Sequence, residues 1–232
     1  MPRTASGSPG ERVPLSRDRV FRAAIAVADE GGIGRLTIRS LAQELGVRPM
    51  SVYHHVANKD EIIDGIVDQV FSEFDLPTPG GDWRAEMRRR AISARSVLRV
   101  HPWAISLLQS RTSPGEGTLS HLNAVIGTLR AGGFSVERTA HAYALLDSYI
   151  YGFAMSEASL PINGPESVAD VAESMMMMEK FSTGNYPYLV EFSTEHILKP
   201  GYDFGLEFEP GLDLVLDGLA RSLPDQSGRT SS

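Results

Sequence analysis

Apolar residues recur along this chain with the period of a helix. Val20, Phe21, Ala24, Ile25, Val27 and Ala28 share one face of a segment that Ser16 can cap and Gly31-Gly32 can stop. LTIRSLAQELG predicts a short second helix, with Thr37 as its cap, Leu41 and Leu45 as an i, i+4 pair and Gly46 as its end. Residues 49–55 predict another short helix. Asn58 then stands at the start of a longer one, with Glu61 in the capping-box position. Ile62, Ile63, Ile66, Val67, Val70 and Phe71 follow at the 3.6-residue period. DLPTPGGD, residues 75–82, breaks the pattern and predicts a domain boundary. Beyond it helices are expected at about 83–100, 102–110, 116–131, 136–159, 165–182 and 209–222. No β alternation and no repeat of fixed period accompany them. The expected fold class is all-α, with a head over residues 15–75 and a larger helical body over 82–223. Residues 1–14 and 224–232 are rich in Pro, Gly, Ser and Thr and are expected to be disordered tails.

Composition narrows the function classes. No apolar run approaches the roughly eighteen residues of a membrane helix, and the N-terminus lacks the apolar segment of a secretory signal. A cytoplasmic protein with no membrane partner is expected. The absence of cysteine excludes disulfides, thiolate nucleophiles and cysteine metal sites. The net charge of −7 hides an asymmetry: residues 1–60 hold nine Arg or Lys against six Asp or Glu, while residues 61–232 hold thirteen against twenty-three. A basic head on an acidic body implies that only the head meets a polyanion.

The head contains GVRPMSVYHHVANKDE, residues 46–61, which concentrates donors and aromatic rings rather than core formers. A short helix, a tight turn at Gly46 and a second short helix with this surface make a helix-turn-helix. A helix that enters a major groove cannot be apolar on its outer face. Tyr53, His54 and Lys59 can donate to phosphates, and Arg48, Pro49, Met50 and Ser51 lie at the leading end, where base edges are reached. Val47, Val52 and Val56 supply the inner face.

LTIRSLAQELGVRPMSVYHHVANKDEIIDGI resembles the DNA-binding head of the tetracycline-repressor (TetR) family of regulators, over residues 16–75. The shared pattern is an LT start, LA-x-x-LGV, Y-x-H-V and NK before an apolar helix. HPWAISLL, GGFS, ALLDSYIYGFAMSEASLP and FEPGLDLVLDGLARSL resemble the ligand-binding and dimerisation core of the tetracycline-repressor branch. The resemblance implies DNA-facing roles for Thr37, Arg39, Arg48, Pro49, Met50, Ser51, Tyr53, His54, His55 and Lys59. His54 departs from the large aromatic common at its position and brings a pH-dependent charge. The implied function is a homodimeric, ligand-responsive transcriptional regulator, most often a repressor, on a palindromic double-stranded operator. Two rival readings are an enzymatic body behind a DNA-binding head and a DNA-binding protein with no effector.

In the body, Trp103, Leu107, His121, Tyr143, Asp147, Tyr151, Met177 and Phe181, with Leu108 and Phe153, suggest a pocket for an apolar or aromatic small molecule; core residues would give the same pattern. Asp147 lies in a stripe with Ala140, Tyr143, Ala144, Tyr151 and Ala154, and needs a partner if buried. A structural bond to a tyrosine or amide and a ligand anchor both remain open for it. The methionines at 175–178 fill a core or line a cavity. Tyr149, Phe153, Leu212, Val215, Leu216 and Leu219 are the expected dimer interface, the last helix packing on residues 136–159. The arginines of residues 84–99 are expected on a solvated face with intramolecular ion pairs. His54 and His55 point about 100° apart on a helix and cannot share a metal. No nucleophile–base set, phosphate loop or metal motif appears, so neither catalysis, metal nor cofactor is expected.

Overall fold

The computed structural model describes residues 14–108, 113–160 and 186–223. The Ser16 hydroxyl accepts from the Arg19 amide and opens α1 (Arg17–Gly31), which buries Val20, Phe21, Ala24, Val27 and Ala28. Thr37 and Ser40 cap α2 (Ile38–Leu45) reciprocally. Gly46 leaves that helix at φ 67, a left-handed conformation that a Cβ would strain. The turn carries the chain into α3 (Pro49–Val52), with proline in its first turn. This helix is shorter than the expected 49–55. Residues 53–55 are turns, and the His55 amide donates to the Val52 carbonyl at 3.0 Å, a tight closure that ends the α ladder.

Asn58 accepts from the Glu61 amide at 2.8 Å and starts α4 (Lys59–Ser72). The expected capping box is displaced by one residue: the Glu61 carboxylate reaches the amide of Ala57, at 2.6 Å, instead of that of Asn58. Ile62, Ile66, Val67, Val70 and Phe71 are buried. α4 packs on α1 along one side and on the body along another, so it belongs to both units.

Asp82 caps α5 (Trp83–Val100) just past the predicted boundary. A 3-10 turn at Pro102–Ala104 and α6 (Ile105–Leu108) occupy most of the expected 102–110 helix. α7 (Glu116–Ala131) and α8 (Val136–Ser159) fall where the period placed them. α9 (Pro187–Phe192), which buries no side chain, runs into a π turn at Ser193–Ile197. A 3-10 turn at Phe204–Glu207 then leads into α10 (Phe208–Ser222). The helix expected at 165–182 and the two tails, apart from Pro14, lie outside the described residues. Among the described residues every regular element is helical.

The arginines of α5 make the expected ion pairs. Arg84 meets Asp217, and Arg88 meets Asp213 and Glu209, which ties α5 to α10. Arg95 bonds Glu157 of α8 through Nε and Nη2, at 3.0 and 2.6 Å. Arg90 departs from the expected solvated face. It is 1% exposed, on the same stripe as Met87, Ala91, Ala94 and Leu98.

Part of the expected dimer interface is buried within one chain in the same region. Leu212 and Leu216 are fully buried and Leu219 nearly so within one chain, where α10 packs on α8 and α5. Tyr149 donates to the Phe208 carbonyl at 2.8 Å, and Phe153 stacks on Phe204 with centroids 4.6 Å apart. Val215 is half-buried against the same core. Leu212, Leu216 and Leu219 close the α8–α10 seam of a single chain, while Tyr149, Phe153 and Val215 stay half-buried at its edge. An apolar stripe finds its nearest complementary face first, and here that face belongs to the same polypeptide. The exposed sides of the two helices carry Leu145, Gly152 and Met155 on α8 and Leu214 on α10.

Candidate nucleic-acid interface and body cavity

The residues expected to face DNA are mostly exposed. Thr37, Arg39, Arg48, Pro49, Met50, Tyr53, His54 and Lys59 are exposed, and Ser51 and His55 are half-buried. Met50 is 70% exposed, at the leading end of α3. Behind this surface Val52 and Val56 are buried, with Val47 packed against them, as the inner-face reading required. The arginines elsewhere on the head are engaged: Arg17 pairs with Glu61, Arg22 with Asp18 and Arg35 with Glu30. Arg39, Arg48 and Lys59 have no ion pair among the described residues. Cations left without carboxylates on one face, beside an exposed tyrosine and two histidines, suit a row of phosphates.

The head meets the body through a polar joint. Asp29, near the end of α1, accepts from the indole Nε1 of Trp103 at 2.7 Å and contacts His101 Nδ1 at 2.7 Å. His101 Nε2 lies 3.3 Å from Glu73, just past α4. The indole N–H of Trp103 is thus engaged by the head, and Trp103 is not among the residues that line the cavity described below. Its N–H needs an acceptor when buried, and the head supplies one.

The body cavity has a volume of about 380 Å3 and is lined by Phe71, Leu108, Tyr143, Ala144, Asp147, Ser148 and Tyr151. This is within the usual size range of small-molecule sites, about 300–1,000 Å3. Of the expected ligand residues, Tyr143, Asp147 and Tyr151 converge here. Leu107 packs into the core, and His121 lies behind the wall. Phe153 belongs to the α8–α10 seam. Met177 and Phe181 lie outside the described residues.

The partner that Asp147 required is Arg90. Its Nη2 donates to the Asp147 carboxylate at 2.6 Å, and its Nε donates to His121 Nε2 at 2.9 Å. Arginine can only donate, so His121 accepts at Nε2 and carries its proton on Nδ1. That Nδ1 is buried and has no hydrogen-bond partner among the described residues. Burial first, and the Arg90 charge second, pull the His121 pKa down to about 3. Burial and then the Asp147 charge push the phenols of Tyr143 and Tyr151 well above their ordinary range. The cavity therefore has a carboxylate edge whose charge is balanced internally by Arg90, with two neutral phenols beside it.

The histidine has a consequence for stability. Its folded pKa lies below the unfolded value of 6.5, so the unfolded chain takes up a proton that the folded imidazole refuses. Its contribution is complete above pH 6.5 and is lost as pH falls toward 3. Urea unfolding between pH 4 and 7 reads this, and His121→Gln flattens that part of the profile. An unchanged slope in the variant would assign the loss to other groups.

Contributors missed from the sequence include Arg90, Asp29, Glu73, Ser148 and Phe71 as a cavity wall. Only Arg90 carried a signal, its place on the apolar stripe of α5. The others were ordinary surface or core residues until the two units were docked.

The sequence and fold have known counterparts. Residues 20–66 match the family described as "Bacterial regulatory proteins, tetR family", and residues 76–223 match "Tetracyclin repressor-like, C-terminal domain". The HTH-type transcriptional repressor DrrR1 of Streptomyces coeruleorubidus is 30% identical over 97% of this chain and 84% of its own length. The tetracycline repressor protein class A from transposon 1721 of Escherichia coli is 25% identical over 89% of this chain and 91% of its own. Among solved structures, the Streptomyces coelicolor TetR family protein ActR in complex with actinorhodin superposes with a TM-score of 0.77. It is 28% identical and covers 91% of this chain and 98% of its own. A helix-turn-helix with an unpaired basic face, a helical body behind it and matches to both halves agree: the chain belongs to the tetracycline-repressor family of bacterial transcriptional regulators.

Proposed function

We propose that this regulator is a homodimeric repressor that grips a palindromic operator and releases it when a small apolar or aromatic molecule fills the body cavity. The observation that carries the reading is Phe71. It forms part of the cavity wall, and it lies on α4, the helix that begins at Asn58 directly behind the DNA-facing surface. A ligand in the cavity thus touches the lever of the head. Coupling of this kind is typically worth about 1–3 kcal/mol. The actinorhodin held by ActR supports a small-molecule effector, to which the Asp147 carboxylate and the two phenols can offer hydrogen bonds. For the dimer, the outward faces of α8 and α10 offer Leu145, Gly152, Met155 and Leu214. Two heads held by such a face need their α3 helices about 34–36 Å apart, one turn of DNA.

Selection of bound duplexes from a random pool tests the DNA reading, and a palindromic consensus is the expected result. Lys59→Ala weakens binding to every duplex and lowers the log–log salt slope by about one unit, because it removes a phosphate contact. Arg48→Ala instead changes which bases are preferred. If Lys59→Ala alters neither affinity nor slope, the docking face is misassigned. For the cavity, actinorhodin is the first probe. It should raise the melting temperature with concentration and lower operator affinity, and Tyr151→Ala should blunt both effects. Equal binding by parent and variant would place the ligand elsewhere.

A further inference from the structure

α7 begins without a cap of its own. Gly115 stands at its N-cap position and offers no side-chain acceptor. The acceptor comes from another helix. Asp68 of α4 accepts from the Gly117 amide at 3.1 Å, from the Thr118 amide at 2.8 Å and from the Thr118 hydroxyl at 2.8 Å. The local sequence keeps the two helices in contact here. A Cβ on Gly115 would lie 2.4 Å from the Asp68 carboxyl carbon. One on Gly117 would lie 2.2 Å from Ser72 Oγ and 2.8 Å from the Asp68 carbonyl oxygen. A side chain at Gly115 would displace the Asp68 carboxylate, and one at Gly117 would press on the α4 backbone.

The place of this clasp matters. Three residues past Asp68, Phe71 lines the body cavity. A separate small space of about 30 Å3, bordered by Val67, Phe71, Leu108, Gly115 and Thr118, lies beside the clasp. Leu108 of α6 borders both spaces. The opposite end of α4, about 14 Å from Asp68 at 1.5 Å per residue, carries Lys59 on the DNA-facing surface. Apolar contacts between helices slide at little cost. Three directional hydrogen bonds to one carboxylate do not, so they fix the register of α4 on α7.

We propose that Asp68 is the positioning residue that couples body to head: by capping α7 from α4 it converts displacement of the α6–α7 end into rotation of the helix-turn-helix. This rests on the repressor reading above, and its first test needs neither DNA nor ligand.

Native-state hydrogen exchange on the full chain supplies that test. In the parent protein the Gly117 and Thr118 amides are protected, and α4 and α7 amides share one dependence on urea, as a single cooperative unit does. In Asp68→Ala the two amides exchange about tenfold faster or more, the loss expected for charge-assisted bonds. The α7 curve then separates from that of α4. Asp68→Asn, which keeps one accepting oxygen, retains the protection of Thr118 and loses that of Gly117, whose amide bonds the other oxygen. A second arm uses the operator duplex recovered by selection. Linkage is reciprocal, so operator binding alters α7 exchange in the parent protein and leaves it unaltered in Asp68→Ala, whose own operator affinity stays within a few-fold. Should Asp68→Ala fail to fold, Thr118→Val removes one of the three donors and shifts both readouts the same way by less. α4 and α7 still on one curve in the variant, or an undiminished operator effect on α7, overturns the proposal. A parent protein that binds no duplex defeats the repressor reading alone, and the urea curves still decide the clasp.

Discussion

Asp147→Ala unfolds at a much lower urea concentration than the parent chain, with a loss of about 3–5 kcal/mol. Arg90 is 1% exposed and Asp147 6% exposed, so the substitution strands a guanidinium in the body core with only His121 as a partner among the described residues. Water cannot solvate it there, and arginine does not escape by losing its proton. The phenols of Tyr143 and Tyr151 also lose the carboxylate beside them. The informative control is the double substitution Arg90→Met with Asp147→Leu. It removes both charges and fills similar volume, and much of the lost stability returns, because desolvating the pair offsets most of its attraction. If Asp147→Ala proves as stable as the parent, the pair is more hydrated than its burial implies. If the double variant is no better than the single one, the network contributes net stability beyond charge balance. Retention of actinorhodin binding in a folded double variant would further argue that Asp147 serves the fold alone.

Leu212→Glu combined with Leu216→Glu abolishes cooperative folding. Both leucines are fully buried between α10 and its neighbours in the same chain. Two unpaired carboxylates there cost several kcal/mol each, on top of the lost apolar packing, against a total stability of about 5–15 kcal/mol for a typical domain. The expected signature is a flat urea profile in near-UV circular dichroism. Leu214→Glu gives the contrasting result. Leu214 is 72% exposed, so the chain stays folded, and sedimentation shows monomers where the parent gives dimers. A folded monomer from the first variant would return Leu212 and Leu216 to the dimer interface. A dimeric Leu214→Glu would move that interface off the outward face of α10.

The sequence by itself determined most of the head. Ser16, Thr37, Gly46 and Asn58 act where their chemistry placed them, because caps and left-handed turns are satisfied within a few residues. The 3.6-residue period placed α4, α5, α7, α8 and α10 for the same reason: a helix closes its hydrogen bonds locally, and its buried face is written along one strip of sequence. The exposed basic face was legible too, since residues that fit no core leave few alternatives. What each strip faces was not legible. Leu212 and Leu216 were apolar enough for either a second chain or their own, and only the docking of α10 on α8 decided for their own. Trp103 gave no sign that Asp29, from a distant part of the chain, holds its N–H. Arg90, Asp147 and His121 come from three helices, and Asp68 reaches the start of α7 from a fourth. Such pairings depend on packing angles and distances between helices, which no local pattern encodes, so the cavity and its connection to the head exist only in the tertiary structure.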